Sequence, residues 1–383
     1  MTTTVEGDTA FVEDVRRIAT EIAAPHAVDV DREARFPAET IDALRDCRAL
    51  SAAVDDRSVS LRAIADACAE LARACSSSAM IFAMHQIQVL TIARHADGAA
   101  WFGEYLREAA GEQRLIASIT SEIGTGGDMG SSIAAVTPTA AGCSFRKEAS
   151  TISYGAFADD YLTTLRRRPG AQPGDQVLAL SARDQTHLEQ LDAWDALGMR
   201  GTCSPGFVVE AAFPPCQVLD VSFAQVCGES MVPISHVLWS HVWLGIAAEA
   251  FERARRYARA SSRGATQTGR TNALSQVAAD LMQLRATVAW GLDDFLARDL
   301  PGREPLSTVG ATLRFNNLKL AASEQASKVC HGALRVCGMQ GYRNDTPYSV
   351  GRHVRDALSA ALMVANDRIH AADGPMLLVT KDI

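Results

Sequence analysis

The 383-residue chain lacks several features that would place it quickly. It has no excess of positive charge: Lys and Arg number 37 against 45 Asp and Glu, a formal net charge of -8. That removes the electrostatic case for nucleic acid or an anionic membrane as partner. A local basic run such as Arg166-Arg167-Arg168 reads as solvated surface. Its nine cysteines include no CxxC pair, and their odd number and irregular spacing suit reduced thiols in a cytoplasmic protein. No metal site is expected from them. The first residues show no basic region followed by an apolar stretch, so no secretory signal is expected. No charge-free run reaches membrane-spanning length, and no internal repeat is visible.

What is present is ordinary globular material, 48% hydrophobic and 21% charged, enough to bury a sizeable core. Phe11, Val12, Val15, Ile18 and Ile22 recur at helical spacing, and PAETIDALRDC begins another helix at Pro37. SSSAMIFAMHQIQVLTIARH is almost free of charge, as a helix buried on several sides must be. Near Leu115 the texture changes to Gly, Ser, Thr and Pro with short apolar runs: LIASIT, FADDYLTTL, QVLALSA, GFVVEAAF and CQVLDVSF. These predict strands of an antiparallel sheet domain. Helical patterns return at Ile234 and include one continuous helix over 350–372. The expected class is α+β: a helical domain over 1–112, a β-domain over 113–230, and a C-terminal four-helix bundle over 231–383.

Four segments, in order, resemble the acyl-CoA dehydrogenase superfamily: SEIGTGGD (121–128), TISYGAFAD (151–159), LGMRGTCS (197–204) and VCGMQGYRNDTPYSVGRHVRDA (336–357). The resemblance spans residues 9 to 370 and implies that family's fold, a cytoplasmic homodimer or homotetramer, and FAD as cofactor. GxGxxG is absent, but the family does not hold flavin on a βαβ unit. By the family pattern Ser121 and Ser153 hydrogen-bond the isoalloxazine ring, which needs fixed polar partners to tune it. Arg263 resembles the arginine that reaches the FAD pyrophosphate from a neighbouring subunit, with Gln276 a further polar contact. Arg335 and Gly338 stand where the family has a glutamine and a glycine against the cofactor. Arg355-Asp356 matches the family's "RD" pair and is read as a structural ion pair.

The family's catalytic glutamate is missing. Its usual position is Val364, and the alternative position is Ser235, neither of which accepts a proton. Asp367, three residues beyond Val364 on the predicted helix, is one candidate base. His85, in the charge-free helix, and His236, with His241 at lower weight, are others. The resemblance implies a dehydrogenase acting on an acyl thioester, linked to CoA or to an acyl carrier protein, in specialised biosynthesis. The alternative is an oxygen-using flavin monooxygenase or oxidative decarboxylase of the same fold, supplied by a flavin reductase. A non-catalytic homologue is the third reading.

Overall fold

The computed structural model describes residues 5–55, 59–96, 98–261, 267–299 and 305–381. The N-terminal helices are α1 (Val5–Ile18), α2 (Ala24–Glu33), α3 (Ala38–Asp46), α4 (Leu61–Ala74), α5 (Ser76–His95) and α6 (Ala100–Glu112). Ser60 starts α4 by accepting a hydrogen bond from the Ala63 amide, which would otherwise be an orphan of the first turn. α5 is buried along nearly its whole length, in keeping with its lack of charge.

Eight strands follow among the described residues: β1 (Ile116–Ile119), β2 (Thr137–Thr139), β3 (Gly142–Ala149), β4 (Asp160–Arg166), β5 (Gln176–Ala182), β6 (Thr186–Gln190), β7 (Phe207–Phe213) and β8 (Val218–Leu219). They form two four-stranded sheets, ordered β1-β4-β5-β8 and β2-β3-β7-β6. The domain is mixed rather than purely antiparallel, because β1 runs parallel to β4, with Ile116 opposite Asp160. The long segment between them, which holds β2 and β3, is what a parallel pairing requires. CQVLDVSF supplies only the two residues of β8, since Ser222 then caps a helix by accepting from the Gln225 amide.

The C-terminal elements are α7 (Phe223–Val226), α8 (Val232–Ala260), α9 (Gln267–Arg298), α10 (Val309–Cys337), α11 (Met339–Tyr342), α12 (Gly351–Leu358) and α13 (Asn366–Leu377). α8 is the central helix, packed against α4, α5, α9 and α10. The stretch Phe223–Ala260 is long and apolar enough to cross a membrane, but its apolar window is 83% buried inside the protein. Such a helix is the core of a bundle.

The predicted helix over 350–372 is broken. α12 ends in a short 3-10 turn, and α13 starts afresh at Asn366. The break is Val364, at φ +45°, a left-handed conformation that β-branched residues avoid. Arg355 and Asp356 act between elements rather than on each other. Arg355 pairs with Asp31 of α2, and the buried Asp356 carboxylate accepts from the Met199 amide at 2.7 Å. The LGMRGT turn is equally tight: a Cβ on Gly201 would lie 2.2 Å from Val30 Cγ1. The N-terminal helices, the β-domain and the C-terminal helices are thereby tied to one another.

Candidate active site

Where the three parts meet there is a cavity of about 230 Å³. α5 contributes Met84, Ile87 and Gln88, and the segment from β1 contributes Ser118, Thr120 and Ser121. Thr151 and Ser153 come from the turn after β3. Met231, Val232, Ser235, His236 and Trp239 come from the start of α8, and Met363 and Val364 close the far side. No Asp, Glu, Lys or Arg is among the lining residues. A larger cavity of about 1310 Å³ lies elsewhere, between α1, α2, α4, α8 and α12. It is lined by ion pairs such as Arg253–Glu249 and Arg16–Glu70 and holds none of these hydroxyls.

Two predicted serines meet in the smaller chamber. Ser121 Oγ donates to the Thr151 carbonyl at 2.7 Å and accepts from the Thr151 amide at 3.1 Å, tying β1 to the turn. Ser153 Oγ accepts from Ser204 at 2.9 Å, and Ser204 in turn shares a 2.8 Å hydrogen bond with Thr202. Under this turn Tyr154 is fully buried and donates to the Ile116 carbonyl.

The histidines separate. His236 lines the chamber. Its Nδ1 lies 2.9 Å from the Phe315 carbonyl, which can only accept, so Nδ1 carries the proton and Nε2 keeps a lone pair. Burial, with the nearby Lys319 charge, pushes its pKa down to about 3. It is thus a neutral acceptor at any physiological pH. His85 does not line the chamber. Its Nε2 donates to the Leu50 carbonyl at 2.8 Å and its Nδ1 accepts from the Ile116 amide at 3.0 Å, so both nitrogens are spent tying α5 to the turn after α3 and to β1. His241 is likewise buried and held by the Val237 carbonyl.

Asp367 also misses the chamber, contrary to expectation. A helix continuing through Val364 would bring it to the same face one turn on, but α12 ends at Leu358, a 3-10 turn follows over Ser359–Ala361, Val364 is left-handed and α13 begins only at Asn366. Asp367 is exposed as a result. Gln276, Arg335 and Gly338 are exposed on α9 and at the end of α10, and line no part of the chamber. Arg263 lies outside the described residues.

Three features were not predicted. Gln88 is buried with its Nε2 donating to the Met84 carbonyl, while its Oε1 has no partner. Trp239 Nε1–H, also buried, has none. Orphan polar atoms at a cavity wall are the signature of a ligand that completes them. The third is the clamp on Val364. Lys319, fully buried on α10, donates to the Val364 carbonyl at 2.9 Å and to Asn366 Oδ1 at 2.5 Å. Paired hydroxyls, orphan amide and indole groups and apolar walls fit an isoalloxazine ring, which is flat, uncharged and rimmed with donors and acceptors. Ser121 and Ser153 would bond its polar edge.

Residues 6–101 match the acyl-CoA dehydrogenase N-terminal domain family, and residues 235–371 match the acyl-CoA dehydrogenase C-terminal domain family. Amino sugar nitrososynthase DnmZ of Streptomyces peucetius is 28% identical over 225 residues, covering 55% of this chain and 53% of that protein. The chain spans about half the length of the curated relatives it matches. TdsC of Paenibacillus sp. A11-2, a dibenzothiophene monooxygenase solved with FMN, superposes with a TM-score of 0.80 at 20% identity over 97% of each chain. KijD3, solved with FMN and a dTDP-linked amino sugar, superposes with a TM-score of 0.82 at 20% identity over 100% of this chain and 98% of that one.

These relatives overturn two expectations. TdsC and KijD3 are solved with FMN, against the expectation of FAD. KijD3 carries a nucleotide-linked sugar and TdsC acts on an aromatic sulfur compound, so the acyl thioester fails as substrate and partner. The chain belongs to the acyl-CoA dehydrogenase superfamily and is a flavin-dependent oxidoreductase of that fold.

Proposed function

We propose that this chain is an FMN-dependent monooxygenase. The observation that carries the reading is the chamber's lining: Val364 stands where a dehydrogenase needs a base, and no carboxylate among the described residues replaces it. Abstraction of a proton alpha to a carbonyl requires such a base within hydrogen-bond reach. When bound and reduced, flavin supplies two electrons to dioxygen, one oxygen atom passing to the substrate and the other leaving as water. That chemistry needs no carboxylate, and it gains from an apolar, water-poor enclosure.

The protein's part is to bind, orient and exclude water. Ser121 and Ser153 hold the polar rim of the ring from the β-domain side. His236 Nε2 accepts a hydrogen bond from whatever O–H or N–H lies before it, and cannot act as a charged acid. Trp239 donates from α8, and Val364 with Met363 closes the chamber to water. The names of DnmZ, a nitrososynthase, and TdsC, a monooxygenase, support oxygenation or nitrogen oxidation over thioester dehydrogenation.

The test uses FMN-loaded protein and a panel of neutral aromatic compounds. Without oxygen, the substrate should leave the oxidised flavin spectrum unchanged. With photoreduced FMN and ¹⁸O₂, the product should gain a single labelled oxygen. Bleaching of the flavin by substrate in the absence of oxygen would overturn the proposal.

A further inference from the structure

Beside the chamber lies a second cavity of about 330 Å³, which shares Met129 and Val232 with it. Phe223, Pro233, Leu306 and Phe315 supply its walls, and like the chamber it contains no charged side chain among the described residues. One polar group stands out. Gln176, the first residue of β5, is 2% exposed, and its Nε2 donates to the Met129 carbonyl at 3.1 Å. That bond fixes the amide's orientation, because a carbonyl can only accept. Gln176 lines the cavity, and its Oε1 is left buried without a partner among the described residues.

We infer that this second cavity is the substrate's recognition pocket, and that it selects an uncharged, largely apolar ring compound bearing an N–H or O–H donor for Gln176 Oε1. The inference rests on the monooxygenase reading only in taking the adjoining chamber as the place of reaction. A diphosphate brought into this space would lose its hydration and find no cation among the described residues, which is strongly unfavourable. A neutral ring instead exchanges water for apolar wall. A donor on that ring meets an acceptor already stripped of water, so the molecule lacking the donor leaves a buried group unsatisfied. The described lining of this pocket therefore suits a neutral ring better than a nucleotide-linked ligand such as the one held by KijD3.

The experiment is titration of FMN-loaded protein by calorimetry with 2-naphthol, 2-methoxynaphthalene and dTDP. 2-Naphthol should bind about tenfold tighter than its methyl ether, the discrimination typical of one buried hydrogen bond. dTDP should bind more weakly than either. Gln176→Leu should bring the ratio of the two naphthalenes close to one, and Ser307→Trp, placed at the cavity wall, should abolish binding of both. Retained FMN binding shows that each variant is folded. Tighter binding of dTDP, equal binding of the two naphthalenes by the parent protein, or an undiminished preference in Gln176→Leu would overturn the inference. These are equilibrium measurements, so they stand whether or not labelled oxygen is transferred. A failed ¹⁸O experiment with intact naphthol selection would remove the monooxygenase reading alone.

Discussion

Val364 holds a conformation with φ +45° that a β-branched side chain adopts only under constraint, at roughly 1–3 kcal/mol. Replacing it by glycine removes the Cβ clash and adds back some unfolded-chain entropy. Val364→Gly should therefore raise stability by about 1 kcal/mol, read in urea melts, and a lower midpoint with unchanged slope would refute the strain. Glu122 is the opposite case, a carboxylate that the surrounding structure has come to depend on. It is buried and accepts from Ser132 Oγ, the Ile133 amide and the Ala134 amide, with Lys147 Nζ 3.5 Å away. Burial pushes its pKa up, but those bonds and the Lys147 charge outweigh it and leave the carboxyl below its ordinary value. Its contribution is present above the unfolded carboxylate range and is lost as pH falls through the lower folded pKa. Glu122→Ala should cost about 3 kcal/mol, and an unchanged denaturation midpoint would show the network to be idle.

Among the elements, α10 is the template for both sides of the chamber. Its Phe315 carbonyl sets the His236 tautomer, and one turn on Lys319 fixes the Val364 turn. Lys319→Met keeps most of the bulk but strips the clamp, leaving the Val364 carbonyl and Asn366 to find other partners. A loss of about 2 kcal/mol is expected, with faster amide exchange confined to residues 363–368. Uniformly faster exchange would instead mean that Lys319 supports the bundle at large. This is also where the sequence was hardest to read. The apolar pattern continues through Met363 and Val364, so nothing local announces a break, and Asp367 was placed by a helical turn that does not exist. In α5 the absence of charge correctly signalled burial, but a helix buried all round displays no face. Hence His85 could not be told from Gln88, which does reach the cavity. β3 escaped for a related reason: its inward positions include Lys147, 1% exposed and donating to the Thr164 carbonyl, which disguises the two-residue period. Ser121 and Ser153, by contrast, were legible because their segments carry the family's turns.

For the molecule as a whole, four described histidines are buried neutral: His85 and His241 with pKa pushed down to about 4, His236 to about 3 and His353 well below its ordinary value, burial being the largest cause in each. The unfolded chain protonates them near pH 6.5 and the folded one does not, so stability is full above that value and declines as pH falls below it. Each should withdraw about 2 kcal/mol by pH 5. Urea midpoints at pH 8, 6.5 and 5 check this, and a flat profile across that range would contradict the buried neutral state. The order of helices, sheets and bundle was visible in the sequence because burial periodicity is a property of long segments. The cavities were not, since they are defined by residues more than 200 positions apart, such as Gln88 and Val364.

The uncharged lining of the two joined cavities has a further consequence, in kinetics. No charged side chain lines either cavity among the described residues, and a neutral ring carries no net charge for the protein's field to pull, so dissolved electrolyte has little to screen. Capture of a neutral ring should proceed at the same rate in 20 mM and 500 mM sodium chloride, and stopped-flow association that slowed with ionic strength would show that charge governs the approach.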